Sequence, residues 1–163
     1  MRLFIAVQLS DEMKKSIVGS MHDLKLGGIK GKYTPAQNLH LTMCFIGEIR
    51  DAGAVMQALS AVRYRPFRLA VSDTGNFGDT LWLGIRGGQA VNRLAADIRS
   101  ALTEAGIAFD TKKFTPHITL VRRMSGSMPK ISVPKTDMMV RKVSLMKSEQ
   151  KNGKTEYTEI FSF

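Results

Sequence analysis

One four-residue pattern occurs twice in this 163-residue chain and limits how it can fold. HLTM begins at residue 40 and HITL begins at residue 117, and each is a histidine, an apolar residue, a threonine and a second apolar residue. Successive side chains of a β-strand point to opposite faces, so the histidine and the threonine share one face and the apolar pair occupies the other. The pattern therefore predicts two strands, one in each half of the chain, each with an apolar face for a core and a polar face for a cleft.

The rest of the chain alternates between strand and helix signals. Ser10 is a good N-cap for a first helix that ends at Gly27-Gly28. Two more helices are predicted in DAGAVMQALSAV and GGQAVNRLAADIRSALTEAGI. Further strands are predicted in RLFIAVQL, PFRLAVSDTGNFG, TLWLGIR, MMVRKVSLMKSEQ and GKTEYTEIFSF. GKYTPAQN and the segment RRMSGSMPKISVPKTD are predicted connections, and Asn152-Gly153 predicts a hairpin turn.

Composition and charge narrow the class of protein. The chain is 44% hydrophobic, which is enough for a real core, and its net charge of +10 favours a polyanionic partner such as RNA. Residues 122–154 carry nine Lys and Arg against two acidic residues, which indicates either a basic patch or a solvated strand face. The single cysteine excludes an intrachain disulfide, and no apolar segment approaches the ~20 residues of a membrane span. A cytoplasmic protein is the expectation.

The two polar pairs would form an acid–base couple if their strands met. Imidazole titrates near neutral pH, so one ring can accept a proton while the other donates one. A phosphodiester suits this set, because His40 and His117 could serve the attacking water and the leaving oxygen while Thr42 and Thr119 bind phosphoryl oxygens. Arg122 is the nearest cation to either motif. The symmetry of the motifs leaves open which histidine is the acid.

Other reactive side chains are expected to have no part in this chemistry. His22 lies in the first predicted helix without a neighbouring threonine motif and is expected on the surface. Strict alternation places Cys44 on the same side as His40 and Thr42, but four residues along a strand are ~13 Å, too far for a pair with His40. A pair between Cys44 and His117 is an alternative that the sequence leaves open but does not favour. Three scattered histidines and one cysteine have no metal-ligand spacing, so no metal is expected.

HLTM with FIGE behind it, and FTPHITLVR, resemble the two signature motifs of the two-histidine (2H) phosphoesterase superfamily. Within it, the chain resembles the RNA 2′,3′-cyclic phosphodiesterases, also called the LigT-like or 2′-5′ RNA ligase family. The segments RLFIAVQLS and NFGDTLWLGI are also similar to that family, as is the closing strand pair around SLMKS and Tyr157. The resemblance covers most of the chain. It implies an α+β fold over a single bilobal domain, residues 1–163, with two antiparallel sheets lining a central cleft and helices outside.

The same resemblance implies a reaction and a division of roles. The expected reaction is metal-independent and cofactor-free hydrolysis of RNA 2′,3′-cyclic phosphate termini to 2′-phosphate ends, with reversible 2′-5′ ligation as a side activity. His40 would be the proton donor and His117 the proton acceptor, while Thr42, Thr119 and Arg122 would bind the substrate phosphate. The partner would be RNA with a cyclic phosphate terminus, or a small cyclic nucleotide, and the protein would be a monomer.

Two alternatives remain from the sequence. One is a 2H phosphodiesterase that acts on 2′-5′ oligonucleotides or small cyclic nucleotides, and the other is a non-catalytic basic RNA-binding module. The segment from Met124 to Thr136 is short and lacks the helical material that many relatives carry there. Few aromatic residues could stack on a base, and most of them are expected in the core. These aromatic candidates are Phe4, Tyr33, Phe45, Phe77, Trp82 and Phe114. Phe4 is singled out among them because the N-terminal strand could line the cleft.

Overall fold

The computed structural model describes residues 1–127 and 129–163. Its helices are α1 (Asp11–Leu26), α2 (Ala52–Ser60) and α3 (Gly88–Glu104), with a 3₁₀ turn over Ala36–Asn38. The strands of the first half are β1 (Arg2–Gln8), β2 (Lys30–Tyr33), β3 (His40–Glu48), β4 (Phe67–Phe77) and β5 (Thr80–Arg86). Those of the second half are β6 (His117–Ser125), β7 (Asp137–Val140), β8 (Ser144–Lys151) and β9 (Lys154–Ser162).

The strands form two antiparallel sheets. The four-stranded sheet has the order β3-β1-β8-β9, and the five-stranded sheet has the order β2-β6-β5-β4-β7. The two motif strands, β3 and β6, belong to different sheets and contact each other where the sheets meet. The predicted α+β class with two antiparallel sheets is therefore confirmed.

The helix boundaries follow the capping chemistry of the sequence. The Ser10 hydroxyl accepts a hydrogen bond from the Met13 amide at 3.2 Å and begins α1, as predicted. The Asp51 carboxylate accepts from the Ala54 amide at 3.1 Å and begins α2 in the same way. Gly106, at φ 71°, follows the end of α3 in the left-handed region that glycine adopts without a steric penalty.

A single predicted strand proves to be two strands in different sheets. The segment MMVRKVSLMKSEQ divides into β7, which pairs with β4, and β8, which pairs with β1 and β9. The buried side chains of Val140 and Val143 flank the crossing, and the exposed Arg141 and Lys142 lie between them. The prediction of one strand is wrong because the apolar pattern shows that a segment is buried but not which sheet it joins.

The predicted connection GKYTPAQN also contains regular structure. Lys30–Tyr33 forms β2, an edge strand that pairs with β6, and the 3₁₀ turn follows it. Three of the four β2 residues are exposed, so the strand lacks the apolar alternation by which strands are identified. The edge position matters for the cleft, because β2 covers the outer side of the second motif strand.

One hydrophobic core joins both sheets and the helices. Fully buried residues of the four-stranded sheet, such as Ile5 and Leu41, belong to the same cluster as Leu83 and Ile118 of the five-stranded sheet. A shared core is what a single domain over 1–163 requires, and that assignment stays a prediction. Within the described residues, no helix combines the length and the apolar composition that crossing a bilayer requires.

The close packing of Trp82 on Gly75 gives a test of this fold. The two residues are opposite each other on β5 and β4, and a Cβ at Gly75 would overlap the six-membered ring of Trp82. We expect Gly75→Ala to lower the free energy of unfolding by about 1–3 kcal/mol through overpacking. Gly19→Ala is the control, because Gly19 lies inside α1 with open space at its Cβ position, and it should stabilise by about 0.5–1 kcal/mol. Urea denaturation measures both, and a Gly75→Ala protein as stable as the wild type would contradict the packing.

Candidate active site

Both histidines of the repeated pattern line one cleft, and each ring is fixed by its own backbone. His40 begins β3, and its Nδ1–H donates to the Asn38 carbonyl at 2.6 Å. His117 begins β6, and its Nδ1–H donates to the Thr115 carbonyl at 2.5 Å. A carbonyl only accepts hydrogen bonds, so Nδ1 carries the proton in each neutral ring. Nε2 is therefore the nitrogen with a free lone pair in both imidazoles.

A β-bulge occurs at the same place in both motif strands. The pairing of β3 with β1 skips Met43, and the pairing of β6 with β5 skips Leu120. Each is the third residue after its histidine, and each is buried. A bulge shifts the side-chain alternation by one residue, so the fifth residue after each histidine lines the cleft. That residue is Phe45 in β3 and Arg122 in β6.

The first bulge also corrects the position predicted for Cys44. Strict alternation placed Cys44 beside His40 and Thr42, but Cys44 is opposite Ile5, is only 3% exposed and belongs to the core. Burial raises the pKa of the Cys44 thiol to about 11. A thiol that stays protonated is a poor nucleophile, so this cysteine does not suit nucleophilic catalysis.

All five predicted site residues lie together around this cleft, which has a volume of about 200 Å³. They are His40, Thr42, His117, Thr119 and Arg122. The Thr42 hydroxyl is 2.8 Å from Nε2 of His40. When the ring is neutral, the hydroxyl donates to Nε2, and when the ring is protonated, Nε2–H donates to the hydroxyl oxygen. Thr42 thus has a hydrogen bond with His40 in either state.

The environment of His40 disfavours its protonated form. Burial lowers the pKa of His40 below its usual value, because the charged ring loses hydration. The hydrogen bond to the Asn38 carbonyl opposes this shift, while the positive charge of Arg122 and the nearby His117 add to it. Phe4 contributes to the burial, with its ring centroid 5.0 Å from that of His40. The neutral ring is therefore favoured while the cleft holds no anion.

Sequence reasoning missed three polar residues that support the cleft. Asn38, which is buried, donates from its side-chain amide to the Thr155 carbonyl of β9 at 3.0 Å and so fixes the carbonyl that anchors His40. The Thr34 hydroxyl donates to the Thr119 carbonyl at 2.9 Å, and Thr80 lies at the start of β5 beside them. The only local sign of Asn38 is its place two residues before a motif histidine, a place that Thr115 shares.

Aromatic residues form the apolar part of the cleft. Phe4, singled out because its N-terminal strand could line the cleft, is buried beside the His40 ring and is not among the residues that line the cleft. Phe45 and Phe77 depart from the expectation of core residues, since each is 48% exposed and lines the cleft. Tyr157, which the sequence tied to the site only through the family resemblance, meets the His40 ring edge to face at 5.3 Å. Trp82 lies behind the second motif, 5.9 Å from the His117 ring.

Most of the remaining charged and ligating residues lie outside the cleft lining. His22 is exposed on α1, as predicted. Of the nine basic residues between 122 and 154, Arg122 lines the cleft, while Lys142, Lys147 and Lys151 form ion pairs with glutamates of β8 and β9. Lys147 and Lys151 thus belong to a solvated strand face, the alternative named above. Over residues 1–127 and 129–163, no three His, Cys, Asp or Glu side chains are grouped to hold a metal ion.

The sequence of this chain matches a family model of the 2′-5′ RNA ligase superfamily over residues 15–152. The chain belongs to the 2′-5′ RNA ligase superfamily. An RNA 2′,3′-cyclic phosphodiesterase of Escherichia coli is 30% identical, over 98% of this chain and 93% of that protein. A Geobacillus stearothermophilus protein of the same name is 30% identical over 77% of this chain, but the match spans only 43% of its own length.

A solved structure from this superfamily agrees in fold. The crystal structure of E. coli LigT in apo form matches with a TM-score of 0.89 and 28% identity, covering 99% of this chain and 95% of that one. The family relationship predicted from HLTM and FTPHITLVR is therefore confirmed. The roles of the individual side chains are a separate matter, since a superfamily match does not assign them.

The electrostatics of this superfamily member can be checked without substrate. We expect NMR titration of the imidazole signals to give His40 a pKa below about 6.5, the ordinary value. Arg122→Gln removes a positive charge that opposes protonation, so the pKa of His40 should rise. Arg123→Gln is the matched control, because Arg123 is an exposed neighbour outside the cleft lining. If both substitutions move the pKa equally, the effect is that of net charge and not of a cation in the cleft.

Proposed function

We propose that this protein hydrolyses RNA 2′,3′-cyclic phosphate termini to 2′-phosphate ends by an acid–base pair of histidines. The observation that carries the proposal is one cleft in which His40 and His117 both have Nδ1 bonded to a backbone carbonyl. In both rings the tautomer and the orientation that leave Nε2 for the reaction are thereby set before substrate binds. The names of the relatives, RNA 2′,3′-cyclic phosphodiesterases, support the substrate class.

The proposed step transfers two protons around one phosphorus atom. A water oxygen attacks phosphorus, and Nε2 of His117 accepts the proton that the water loses. The bond from phosphorus to the ribose 3′ oxygen breaks, and Nε2–H of His40 donates a proton to that oxygen. The products are a 2′-phosphate monoester and a free 3′-hydroxyl. Exchange of one proton with solvent at each ring restores the starting state.

The division of roles follows the family resemblance and must be reconciled with the electrostatics of the cleft. A proton donor must be protonated before the step, yet burial and Arg122 lower the pKa of His40. A bound phosphodiester brings a negative charge, which favours the protonated imidazole and offsets the charge of Arg122. His40 is thus proposed to gain its proton when the substrate enters. Until the leaving oxygen takes that proton, the Thr42 hydroxyl accepts a hydrogen bond from Nε2–H and keeps the donor in place.

The phosphoryl oxygens are proposed to bind Thr42, Thr119 and Arg122. Hydroxyl and guanidinium donors that are already in position stabilise the charge that develops in the transition state. The reaction then needs neither a metal nor another cofactor, which stays a prediction to be tested with a chelator. A single protein chain supplies all of these groups, consistent with an active monomer.

The same site also accommodates a second nucleophile. A 5′-hydroxyl in place of water would attack the cyclic phosphate and give a 2′-5′ linkage, with the two histidines in unchanged roles. We propose this ligation only as a side activity, since water is present at far higher concentration than any RNA end.

The first test is turnover of a short RNA that ends in a 2′,3′-cyclic phosphate, with EDTA present. We expect the wild type to yield the 2′-phosphate, and His40→Ala and His117→Ala each to lower kcat by about 10²–10⁴, the usual contribution of a general acid or base. His22→Ala is the matched control, because this third histidine is exposed on α1 and should leave the rate unchanged.

Each other outcome points to a named alternative. A 3′-phosphate product would keep the histidine pair but reverse the choice of leaving oxygen. Cleavage of 2′-5′ oligonucleotides or small cyclic nucleotides in preference to the RNA terminus would identify one of these as the substrate class instead. Tight RNA binding with no turnover in any of the proteins would favour the non-catalytic module, and loss of activity in EDTA would refute the metal-free mechanism.

A second test separates the acid from the base. A nucleoside phosphodiester with a 4-nitrophenolate leaving group needs no general acid, because that group departs without protonation. We expect His40→Ala to lose much less activity on this substrate than on the cyclic phosphate, while His117→Ala loses a similar factor on both. Release of 4-nitrophenolate is followed by absorbance, and the opposite pattern would exchange the roles of the two histidines.

A further inference from the structure

A second groove leads away from the cleft at its His117 end. It has a volume of about 450 Å³, larger than the cleft itself. Four residues line both spaces and make them continuous: Thr42, Phe45, Phe77 and His117. The rest of the lining comes from Met43 and Cys44 of β3, from the segment that precedes β6 and from one residue of α3. Anything larger than the group held between the histidines can therefore extend into this groove.

The outer part of the groove is positively charged. Lys112 and Lys113 lie on the segment before β6, Arg99 lies on α3, and Asp110 is the one acid among the lining residues described. We call the part of the groove that these four residues line the lysine groove. Asp110 is engaged locally, since its carboxylate accepts a hydrogen bond from the Lys112 amide at 2.9 Å. Three cations against one acid leave a positive surface beside the cleft.

The cations of the lysine groove have no anionic partner in the described part of the chain. None of the ion pairs among residues 1–127 and 129–163 involves Arg99, Lys112 or Lys113. Arg99 is held in place by its Nη2–H, which donates to the Lys112 carbonyl at 2.6 Å. Its Nε–H is buried without a hydrogen-bond partner among those residues. A guanidinium held in place beside two ammonium groups that form no ion pair suits an oxyanion ligand.

Aromatic rings lie at the entrance to the lysine groove. Phe45 and Phe77 are each 48% exposed at the boundary between the cleft and the lysine groove. Phe114 lines the groove further along. Exposed aromatic faces next to a positive groove are how proteins bind single-stranded nucleic acid, since bases stack on the rings and the backbone follows the charge.

From this arrangement we propose that the lysine groove binds the phosphodiester that precedes the terminal nucleotide of the RNA. The inference rests on the proposed function, because it takes the terminal cyclic phosphate to lie between the histidines. An RNA 3′ end continues in one direction only, through the 5′ oxygen of its last nucleotide, and the groove offers that continuation an anion site. The protein then acts on RNA chains in preference to cyclic mononucleotides.

The test compares two substrates with the same terminal nucleotide. One is the 2′,3′-cyclic mononucleotide, and the other is a dinucleotide that ends in the same cyclic phosphate. In Lys112→Ala/Lys113→Ala we expect kcat/KM for the dinucleotide to fall about tenfold, a typical loss for two ion contacts. The value for the mononucleotide should stay within about twofold, since it lacks the phosphodiester that these lysines contact. Both lysines are exposed, so the substitutions should not unfold the protein.

A neutral linkage isolates the contact. A dinucleotide with a methylphosphonate between its two nucleosides keeps the shape of the chain but loses the charge. The wild type should lose about the same tenfold on this substrate, and the double variant should lose little more, because the partner of the removed charge is already absent. Lys14→Ala/Lys15→Ala is the matched control, because it also removes two positive charges, but from α1 and away from both spaces. Its kcat/KM should equal that of the wild type on every substrate.

Binding separates a failure of this inference from a failure of the proposed function. The probe is a product-like dinucleotide that ends in a 2′-phosphate. Suppose that the wild type turns over neither substrate, but the double variant binds this probe about tenfold more weakly than the wild type does. The proposed hydrolysis is then wrong, and the proposed phosphodiester site in the lysine groove is supported. Equal losses on the dinucleotide and the mononucleotide, or an equal effect of Lys14→Ala/Lys15→Ala, would refute the groove whatever the reaction is.

Discussion

Two short hydrogen bonds from an imidazole to its own chain define the cleft. Each motif histidine donates from Nδ1–H to the carbonyl two residues before it, His40 to Asn38 and His117 to Thr115. Because each bond is local, the orientation of either ring is set by the residues that lead into its own strand, and the tertiary fold needs only to bring the strands together. Asn38 extends the first anchor to β9 through its amide, so the four-stranded sheet supports His40 from a second side.

The repeated bulge explains why the same strands can serve both a core and a charged site. Met43 and Leu120, the extra residues, are buried, and each reverses the alternation beyond its threonine. Without the second bulge, Arg122 would be on the core side of β6, where an unpaired charge is very costly. With it, the guanidinium joins the cleft and Val121 takes the core position. One inserted residue in each strand thus separates apolar support from polar function.

Features that depend on the local sequence pattern were predicted correctly. Features that depend on how strands pair were not. The capped helices and the Asn152-Gly153 turn, with φ 52° and 74°, were readable from single segments. The faces of His40 and His117 followed from alternation. Cys44 was misplaced because a bulge is a property of two paired strands, and β7 and β8 were merged because sheet membership is set by distant partners. Phe45 and Phe77 were missed as cleft residues for the first of these reasons, since Phe45 follows the bulge of β3 and Phe77 follows a register shift between Val71 and Thr74 in β4.

A nearly symmetric backbone carries side chains that make the two halves unequal. At equivalent places after the bulge, β3 presents the ring of Phe45 and β6 presents the charge of Arg122. That charge acts across the cleft, since Arg122 lowers the pKa of His40 on the other strand. An anion between them cancels this effect, which couples protonation of His40 to phosphodiester binding. The donor proposed for the reaction would then become charged only when there is a leaving oxygen to receive its proton, and the asymmetry of one side chain would give direction to a symmetric pair.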